Sequence, residues 1–207
     1  MTKLPKGATA ILVVLIILIA DQVLKIWVKT HMYYGESIEI ASWFKIHFVE
    51  NNGMAFGLEV IGKLFLSVFR IIAVIFISYY LYLLAKRNYS HGFIACVALI
   101  LAGAFGNIID CVFYGEIFSA STPSQIATFV PIGEGYASWL HGRVVDMFYF
   151  PLIEGTFPSF FPVVGGDPFI FFSPIFNIAD AAISVGIVSL LIFYWKTLAE
   201  SLQSDAK

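Results

Sequence analysis

The sequence is poor in charged residues. Lys, Arg, Asp and Glu make up 13% of its 207 residues, compared with roughly 25% in soluble domains. In contrast, 59% of the residues are hydrophobic and the mean hydropathy is +0.87. This scarcity of charge excludes an ordinary soluble domain and indicates an integral membrane protein. The formal net charge of -2 provides no basic stripe for phosphate backbones, so we expect no nucleic-acid partner.

Cysteine is also scarce. The chain has two, Cys96 and Cys111, and both lie in or at the end of one apolar run. Two cysteines so placed do not predict a disulfide scaffold, and the sequence shows no metal-ligand spacing. We interpret both as packing residues and expect no metal and no cofactor.

Four stretches are long and apolar enough to cross a bilayer, which requires roughly 20 residues. They run from about Thr9 to Val28, Leu64 to Leu84, Gly92 to Cys111 and Pro174 to Trp195. We therefore predict an all-α integral membrane protein with four transmembrane helices in a single membrane domain, residues 1–207. The first stretch ends without a small-x-small cleavage site, which argues against a cleaved signal peptide.

The basic residues predict the orientation of these helices. Three segments, before the first stretch, between the second and third, and after the fourth, contain Lys3, Lys6, Lys86, Arg87 and Lys196. Residues 112–173 contain a single basic residue, Arg143. The positive-inside rule then places both termini in the cytoplasm and the loops 29–63 and 112–173 outside.

The two outer loops carry different patterns. Apolar and polar residues alternate from Phe44 to Phe48, ahead of the turn-forming run Glu50–Gly53, which predicts a small extracytoplasmic β element. The second loop is polar from Glu116 to His141 and aromatic from Pro151 to Phe172. Four prolines prevent a continuous helix in the aromatic part, so we expect an interfacial loop or short helix there, not a span.

Several polar residues lie within the apolar stretches. Asp21 and Lys25 are four residues apart, so they share a helix face in the order that favours an ion pair. A structural ion pair is the simpler interpretation of them, and catalysis is the alternative. Arg70 either extends to the interface, pairs with a carboxylate or binds a lipid headgroup.

The third and fourth stretches each present a polar face. Asn107 and Asp110 share a face beside small residues that allow close helix packing, and we interpret Asp110 as an orienting group before a proton carrier. Asn177 and Asp180 lie on a polar stripe that must face protein or water. A helix start at Ser173-Pro174 would place Asp180 about two turns into the helix.

Asp146 interrupts the apolar run Val144–Tyr149. An ionised side chain at the centre of a transmembrane helix costs at least about 2.5 kcal/mol, so an aspartate in such surroundings suggests a function. Two of them, Asp146 and Asp180, suggest a functional pair. A simple ion pair with Arg143 would also explain the presence of Asp146.

Five sequence elements, in chain order, resemble those of lipoprotein signal peptidases (signal peptidase II, aspartic peptidase family A8). They are Asp21–Lys25 for the family's D-x-x-x-K, Asn51–Gly57 for N-x-G-A-A-F, Gly106–Asp110 for G-N-x-x-D-R, Gly142–Phe148 for G-x-V-V-D and Phe176–Asp180 for F-N-x-A-D. Each element alone is weak evidence, but five in order on separately predicted spans form a specific resemblance.

The resemblance implies a membrane aspartic endopeptidase with Asp146 and Asp180 as its catalytic dyad. The residues it implies as holding the dyad or the substrate backbone are Asn51, Asn107, Asp110 and Asn177, with Asp21 and Lys25 supporting the site. The implied substrates are diacylglyceryl-modified prolipoproteins, cut just before the lipidated cysteine. The implied location is the bacterial inner membrane, with the site near its outer face, in contact with membrane lipid and in a monomer.

Two departures from the family pattern are visible. Cys111 stands where an arginine usually follows the G-N-x-x-D aspartate, and Arg143 is one candidate replacement. Residues 116–140 look inserted and would cover the site as a lid, bind a partner or have no role.

Two other classes of protein explain part of the pattern. A proton- or ion-coupled carrier also needs carboxylates at membrane depth, but the sequence shows no inverted repeat. A structural scaffold would explain Asp21 with Lys25 but not the surroundings of Asp146 and Asp180.

Overall fold

A computed structural model describes residues 4–51 and 62–204, which contain six helices and six strands. The helices are α1 (Lys6–His31), α2 (Lys63–Lys86), α3 (His91–Ile109), α4 (Gly115–Ile117), α5 (Ile178–Phe193) and α6 (Trp195–Ser204). The strands are β1 (Ser37–Ala41), β2 (Phe44–Asn51), β3 (Val144–Tyr149), β4 (Ile153–Thr156), β5 (Pro168–Phe171) and β6 (Ile175–Phe176). One π-helical turn, Asp110–Tyr114, joins α3 to α4.

Within these residues, three helical segments are long and apolar enough to cross a membrane: α1, α2, and α3 extended to Ile117. A fourth is obtained if α5 and α6, which meet at a bend of 90°, are counted as one span. The first three predicted stretches each fall within one of these segments. The all-α description is too narrow, however, because six strands form two antiparallel sheets beside the helices.

The fourth predicted stretch, Pro174 to Trp195, begins before helix α5 and continues past the end of α5 at Phe193. The predicted start at Pro174 is wrong, because Ile175 and Phe176 pair with β3 as strand β6 and the helix begins only at Ile178. Asn177 is the N-cap, and its side chain accepts a hydrogen bond from the N–H of Asp180. Asp180 therefore lies in the first turn of α5, not two turns in.

Helix α3 is the central helix of the bundle. In an 18-residue apolar stretch of the span that it begins, 61% of the residues are buried, compared with 17% in such a stretch of α1 and 11% in one of α2. Its small residues permit close packing against α5: a Cβ added at Gly103 would lie 2.2 Å from the carbonyl oxygen of Ala179. The outward faces of α1 and α2 remain apolar, as at Ile16 and Phe76, which is the pattern expected of lipid-facing surfaces.

The larger sheet has the strand order β1-β2-β3-β6, and neighbouring strands are antiparallel. Side chains alternate between its two faces. On β3, Val145 and Met147 face an apolar cluster that includes Val28 of α1 and Phe48 of β2. Full burial of such a side chain stabilises the fold by about 1.5–3 kcal/mol. Asp146 therefore points from the opposite face of a firmly anchored strand.

The segment between α4 and β3 is a tethered loop built around Glu116. The buried carboxylate of Glu116 accepts hydrogen bonds from the backbone N–H of Gly133, at 2.9 Å, and of Trp139, at 3.2 Å. An isolated bridge pairs Phe118 with Phe129. Glu116, at the start of this segment, therefore ties down two points in its second half, Gly133 and Trp139.

Candidate active site

Asp146 and Asp180 are brought together by two elements that are far apart in the sequence. Asp146 lies in the middle of β3 and is 2% exposed, whereas Asp180 is the third residue of α5 and is partly buried. The pairing of β6 with β3 places the start of α5 beside the face of β3 from which Asp146 points. The structure thus unites the two aspartates that the sequence singles out.

Asn177 connects the two aspartates. Its Nδ2 donates to Oδ1 of Asp146 at 2.6 Å and to the carbonyl oxygen of Val145 at 3.2 Å. Its Oδ1 accepts the backbone N–H of Asp180 at 2.9 Å. The same side chain therefore caps α5 and orients the carboxylate on β3.

Asn107 of α3 holds Asp180. Its Nδ2 donates to Oδ1 of Asp180 at 2.7 Å. Its Oδ1 accepts hydrogen bonds from Nζ of Lys25 at 2.9 Å and from Nδ2 of Asn177 at 3.2 Å. Because the amide oxygen is occupied by two donors, the amide N–H groups are directed toward the carboxylate.

Asn51, the last residue of β2, approaches Asp146 from the other side. Its Nδ2 donates to Oδ2 of Asp146 at 3.3 Å. Asp146 thus has an amide donor on each carboxylate oxygen, from Asn51 and from Asn177. The remainder of the matched element, Asn52–Gly57, lies outside the described residues.

Lys25 lies in a buried cluster with Asp21 and Asp110, next to the amide oxygen of Asn107. Its ammonium lies 2.9 Å from Oδ2 of Asp21 and 2.9 Å from Oδ2 of Asp110, and none of the three side chains is more than 1% exposed. The predicted pairing of Asp21 with Lys25 is confirmed. A buried ammonium needs such partners, because desolvation without compensation would cost several kcal/mol.

The two carboxylates of this cluster also bind the backbone of the site. Oδ1 of Asp21 accepts the N–H of Ala179, in the first turn of α5, at 2.9 Å. Oδ2 of Asp110 accepts the N–H of Val145, the residue before Asp146, at 3.2 Å. Each carboxylate therefore fixes the backbone next to one aspartate of the pair, which is the geometry of an orienting group.

The surroundings of Asp146 raise the pKa of its carboxyl group to about 7. Burial is the main cause, because it penalises the charged form, and the negative charge of Asp180 is the second. Hydrogen bonds from Asn51 and Asn177 and the charge of Lys25 act in the opposite direction. At neutral pH the pair can therefore hold one proton, which is the state that combined acid and base chemistry requires.

Arg143 does not replace the missing arginine at Cys111. Its Nη1 lies 3.2 Å from Oε2 of Glu50. The guanidinium that reaches Cys111 belongs to Arg70 of α2, whose Nη1 lies 3.3 Å from the Cys111 Sγ. A positive charge is thus supplied beside the Asp110 turn from another helix, which local sequence could not indicate.

Three residues near the site were not predicted from the sequence: Gln22, Lys29 and Glu50. Nε2 of Gln22 donates to Oδ1 of Asp110 at 3.0 Å, and its Oε1 accepts the hydroxyl of Tyr114 at 3.0 Å. Lys29 pairs with Glu50 in a second buried cluster. One signal was available for Lys29, because it continues the four-residue spacing of Asp21 and Lys25 on one face of α1.

In the part of the chain that the structure describes, no group of three or more His, Cys, Asp or Glu side chains is placed to hold a metal ion. Every buried side-chain nitrogen and oxygen in that part has a hydrogen-bond partner. The arrangement therefore provides two carboxylates, partly shielded from solvent, with amide N–H donors around them.

Membrane-length apolar helices and a pair of carboxylates, one buried and one partly buried, held by amides place the chain in the class of helical membrane proteins with an acid–base site. Comparisons with known proteins narrow this class. The model of the Peptidase_A8 family, described as signal peptidase (SPase) II, matches residues 13–196. The chain belongs to this signal peptidase II family.

Individual relatives agree with this assignment. A lipoprotein signal peptidase of Porphyromonas gingivalis is 54% identical over 208 residues, covering 100% of this chain and 91% of the relative. Another from Amoebophilus asiaticus is 36% identical over 187 residues, covering 87% of this chain and 75% of the relative. A solved structure described as a bacterial membrane enzyme superposes with a TM-score of 0.60 at 25% identity, covering 93% of this chain and 90% of the other.

Proposed function

We propose that this protein is a membrane aspartic endopeptidase that removes signal peptides from prolipoproteins, cutting just before the diacylglyceryl-modified cysteine. The observation that carries the proposal is the convergence of Asp146 and Asp180 from β3 and α5, joined through Asn177 and Asn107. Membership of the signal peptidase II family supplies the reaction and the substrate class.

The two aspartates act as a pair that shares one proton. One ionised carboxyl takes a proton from water, and the water attacks the scissile carbonyl carbon. The other, protonated carboxyl donates to the carbonyl oxygen, which gives a tetrahedral gem-diol. The carboxyl that took the proton from water then passes it to the leaving nitrogen, the C–N bond breaks, and the other carboxylate takes back a proton from a gem-diol hydroxyl. Because close like charges oppose double ionisation, the proton belongs to the pair and not to either residue.

The amides around the pair give it a defined geometry. Asn177 holds Asp146 and Asn107 holds Asp180, while the Lys25 cluster fixes the backbone beside each. Preorganised donors of this kind lower the reorganisation needed to reach the transition state. Asn51 donates to the second carboxylate oxygen of Asp146.

The topology follows from the distribution of basic residues. We place four spans in the bacterial inner membrane, with both termini in the cytoplasm, the two sheets at the outer face and a monomer as the working unit. The substrate's signal helix and acyl chains then approach through the bilayer. Its scissile peptide must unwind to reach Asp146 at the sheet.

A row of aromatic rings supports contact between the sheet and lipid. Phe150, just after β3, stacks on Phe44 at 4.8 Å and on Phe176 at 5.7 Å, measured between ring centroids. Trp43 continues the row at 6.2 Å from Phe150, and Phe172 lies 6.4 Å from Phe176. Aromatic side chains are enriched where a protein crosses from hydrocarbon to water.

The β4–β5 hairpin extends this aromatic surface. Its tip exposes Phe160 by 80% and Val163 by 101%, and residues 157–166 contain no charged side chain. Exposed apolar patches of this kind mark interaction surfaces, including membrane contacts. We assign residues 151–172 to the outer membrane interface.

The test is cleavage of a diacylglyceryl-modified precursor peptide by purified protein in detergent or lipid. Wild type should cleave before the modified cysteine, whereas Asp146→Asn and Asp180→Asn should remain folded and inserted without turnover. Asp167→Asn is the matched control, because Asp167 is an exposed aspartate in the same outer loop. Retained turnover in purified Asp180→Asn would contradict the proposal, and proton-dependent flux in liposomes would favour a carrier.

A further inference from the structure

A second buried ion cluster lies one helical turn beyond the first on α1. Its centre is Lys29, whose side chain is fully buried. The Lys29 ammonium pairs with the carboxylate of Glu50 and donates to Oγ of Ser121 at 3.1 Å. It also lies 4.8 Å from the ring centroid of Tyr136, within range of a cation–π interaction.

Glu50 is the acceptor on which this cluster converges. Its side chain is 1% exposed. Oε1 receives Lys29 and the hydroxyl of Ser121, the latter at 3.0 Å, while Oε2 receives Nη1 of Arg143 at 3.2 Å. Three segments therefore hold one carboxylate: helix α1, the inserted loop, and the residue that precedes β3.

Glu50 is adjacent to Asn51 at the end of β2. In the sheet it lies opposite Val145, and Asn51 lies opposite Val144. Asn51 is the last described residue of β2, and its side chain makes the contact with Asp146. A carboxylate fixed on three sides immediately before it restricts the backbone from which the Asn51 side chain reaches Asp146.

A cluster of this kind is a poor device for stability alone. Burying charges costs desolvation energy, and well-packed apolar side chains of similar volume often stabilise a fold as well or better. The charges instead fix the orientation of the Glu50 carboxylate, because donors from three different segments all bond to its two oxygens. This argues for a role in geometry.

We propose that Glu50, held by Lys29 and Arg143, is a positioning residue that sets the contact between Asn51 and Asp146. This inference rests on the proposed function for its catalytic consequence. It also gives the inserted loop a task, since Ser121 and Tyr136 complete the environment of Lys29. The Glu50 carboxylate bonds to Lys29, Ser121 and Arg143, and it acts on the aspartate pair through Asn51.

Two consequences distinguish positioning from a purely structural role. A misplaced Asn51 lowers kcat while KM changes little, because small errors in the position of catalytic groups cost about 10- to 100-fold in rate. The Asn51 hydrogen bond also lowers the pKa of Asp146. Weakening that bond should therefore move the alkaline limb of the pH–rate profile to higher pH.

The experiment is a double-mutant cycle on Glu50→Gln and Asn51→Ala. We measure kcat and KM on a diacylglyceryl-modified precursor peptide, and follow Asp146 by the pH dependence of its infrared carboxyl band. Glu50→Gln should lower kcat at least about tenfold and shift the Asp146 titration upward. In the Asn51→Ala background it should add almost nothing, because coupled residues are not additive.

The control is Glu39→Gln on β1. Glu39 is also a strand glutamate paired with a lysine, but its side chain is 64% exposed and lies 4.0 Å from Lys45. It should behave as wild type. Wild-type kcat and Asp146 titration in folded Glu50→Gln, or full additivity with Asn51→Ala, would overturn the inference.

The infrared titration separates this inference from the proposed function. If wild-type protein fails to cleave the lipidated precursor, the proposed function fails. The titration of Asp146 still reports whether Glu50 acts through Asn51, because it needs no substrate.

Discussion

Asn177 donates a hydrogen bond of 2.6 Å from Nδ2 to Oδ1 of Asp146. The same residue begins α5, where its Oδ1 caps the helix at Asp180. The start of α5 and the orientation of a buried carboxylate therefore depend on one side chain. Substitutions at this position can separate the two tasks.

Asn177→Ser should preserve the helix cap but remove the amide donor, because serine caps helices about as well as asparagine. We expect stability within about 1 kcal/mol of wild type and a fall in kcat of about 10- to 100-fold. Asn177→Ala should lose the cap as well and unfold at lower temperature. The measurements are precursor cleavage and thermal unfolding, and wild-type kcat in Asn177→Ser would contradict the assigned role.

The raised pKa of Asp146 predicts how stability depends on pH. The carboxyl has a pKa of about 7 in the folded protein and about 3.9 in an unfolded chain. Folding therefore favours the protonated form, and this contribution is fully present below pH 4 and is lost as pH rises through 7. The side chain of Asp146→Asn does not ionise, so its free energy of unfolding at pH 8 should exceed that of wild type by at most about 4 kcal/mol.

The check is thermal unfolding of wild type and Asp146→Asn between pH 4 and pH 8. The difference in Tm should be small at pH 4 and should grow in favour of Asp146→Asn as pH rises. A constant difference would show that burial and Asp180 do not raise the pKa of Asp146. For the active enzyme, kcat should fall on the alkaline side as the pair loses its proton.

Lys25→Met should be strongly destabilising. It leaves the buried carboxylates of Asp21 and Asp110 without their common cation, and breaking a buried pair in this way costs about 3–5 kcal/mol. Lys45→Met is the matched control, since its partner Glu39 is exposed and such surface pairs contribute about 0–1 kcal/mol. Equal Tm values for the two variants would contradict the importance of the buried cluster.

The interfacial hairpin predicts contact between its tip and lipid. Both native cysteines are buried, so Val163→Cys can be labelled selectively with a nitroxide in proteoliposomes. We expect the label to collide more often with oxygen, which partitions into lipid, than with a water-soluble nickel chelate. Ile132→Cys is the control, because Ile132 is 71% exposed in the polar loop; identical accessibility at the two positions would refute the placement.

Much of the site was predictable because its residues belong to local sequence patterns. The pairing of Asp21 with Lys25 follows from four-residue spacing on one helix. The strand before Asn51 follows from alternation of apolar and polar residues. Asp146 and Asp180 are conspicuous because each is an acid in apolar sequence.

The errors have physical reasons as well. Ser173-Pro174 is an acceptable helix start by local criteria, but Ile175 and Phe176 pair with β3 instead. Arg143 is the nearest basic residue in the loop and was the natural candidate to replace the missing arginine. It is bound to Glu50, while Arg70 reaches Cys111 from α2.

The sequence by itself determined the membrane class, three of the helical segments and the order of the motifs, because hydropathy and residue spacing act over a few turns of chain. Only the tertiary structure decided that Asn177 orients Asp146, that Asp110 holds the backbone of Val145 and that Glu50 gathers Lys29 and Arg143. These contacts join residues that are 21 to 93 positions apart in the sequence. Their geometry depends on how α1, α3, α5 and the sheet pack, and no local pattern contains that information.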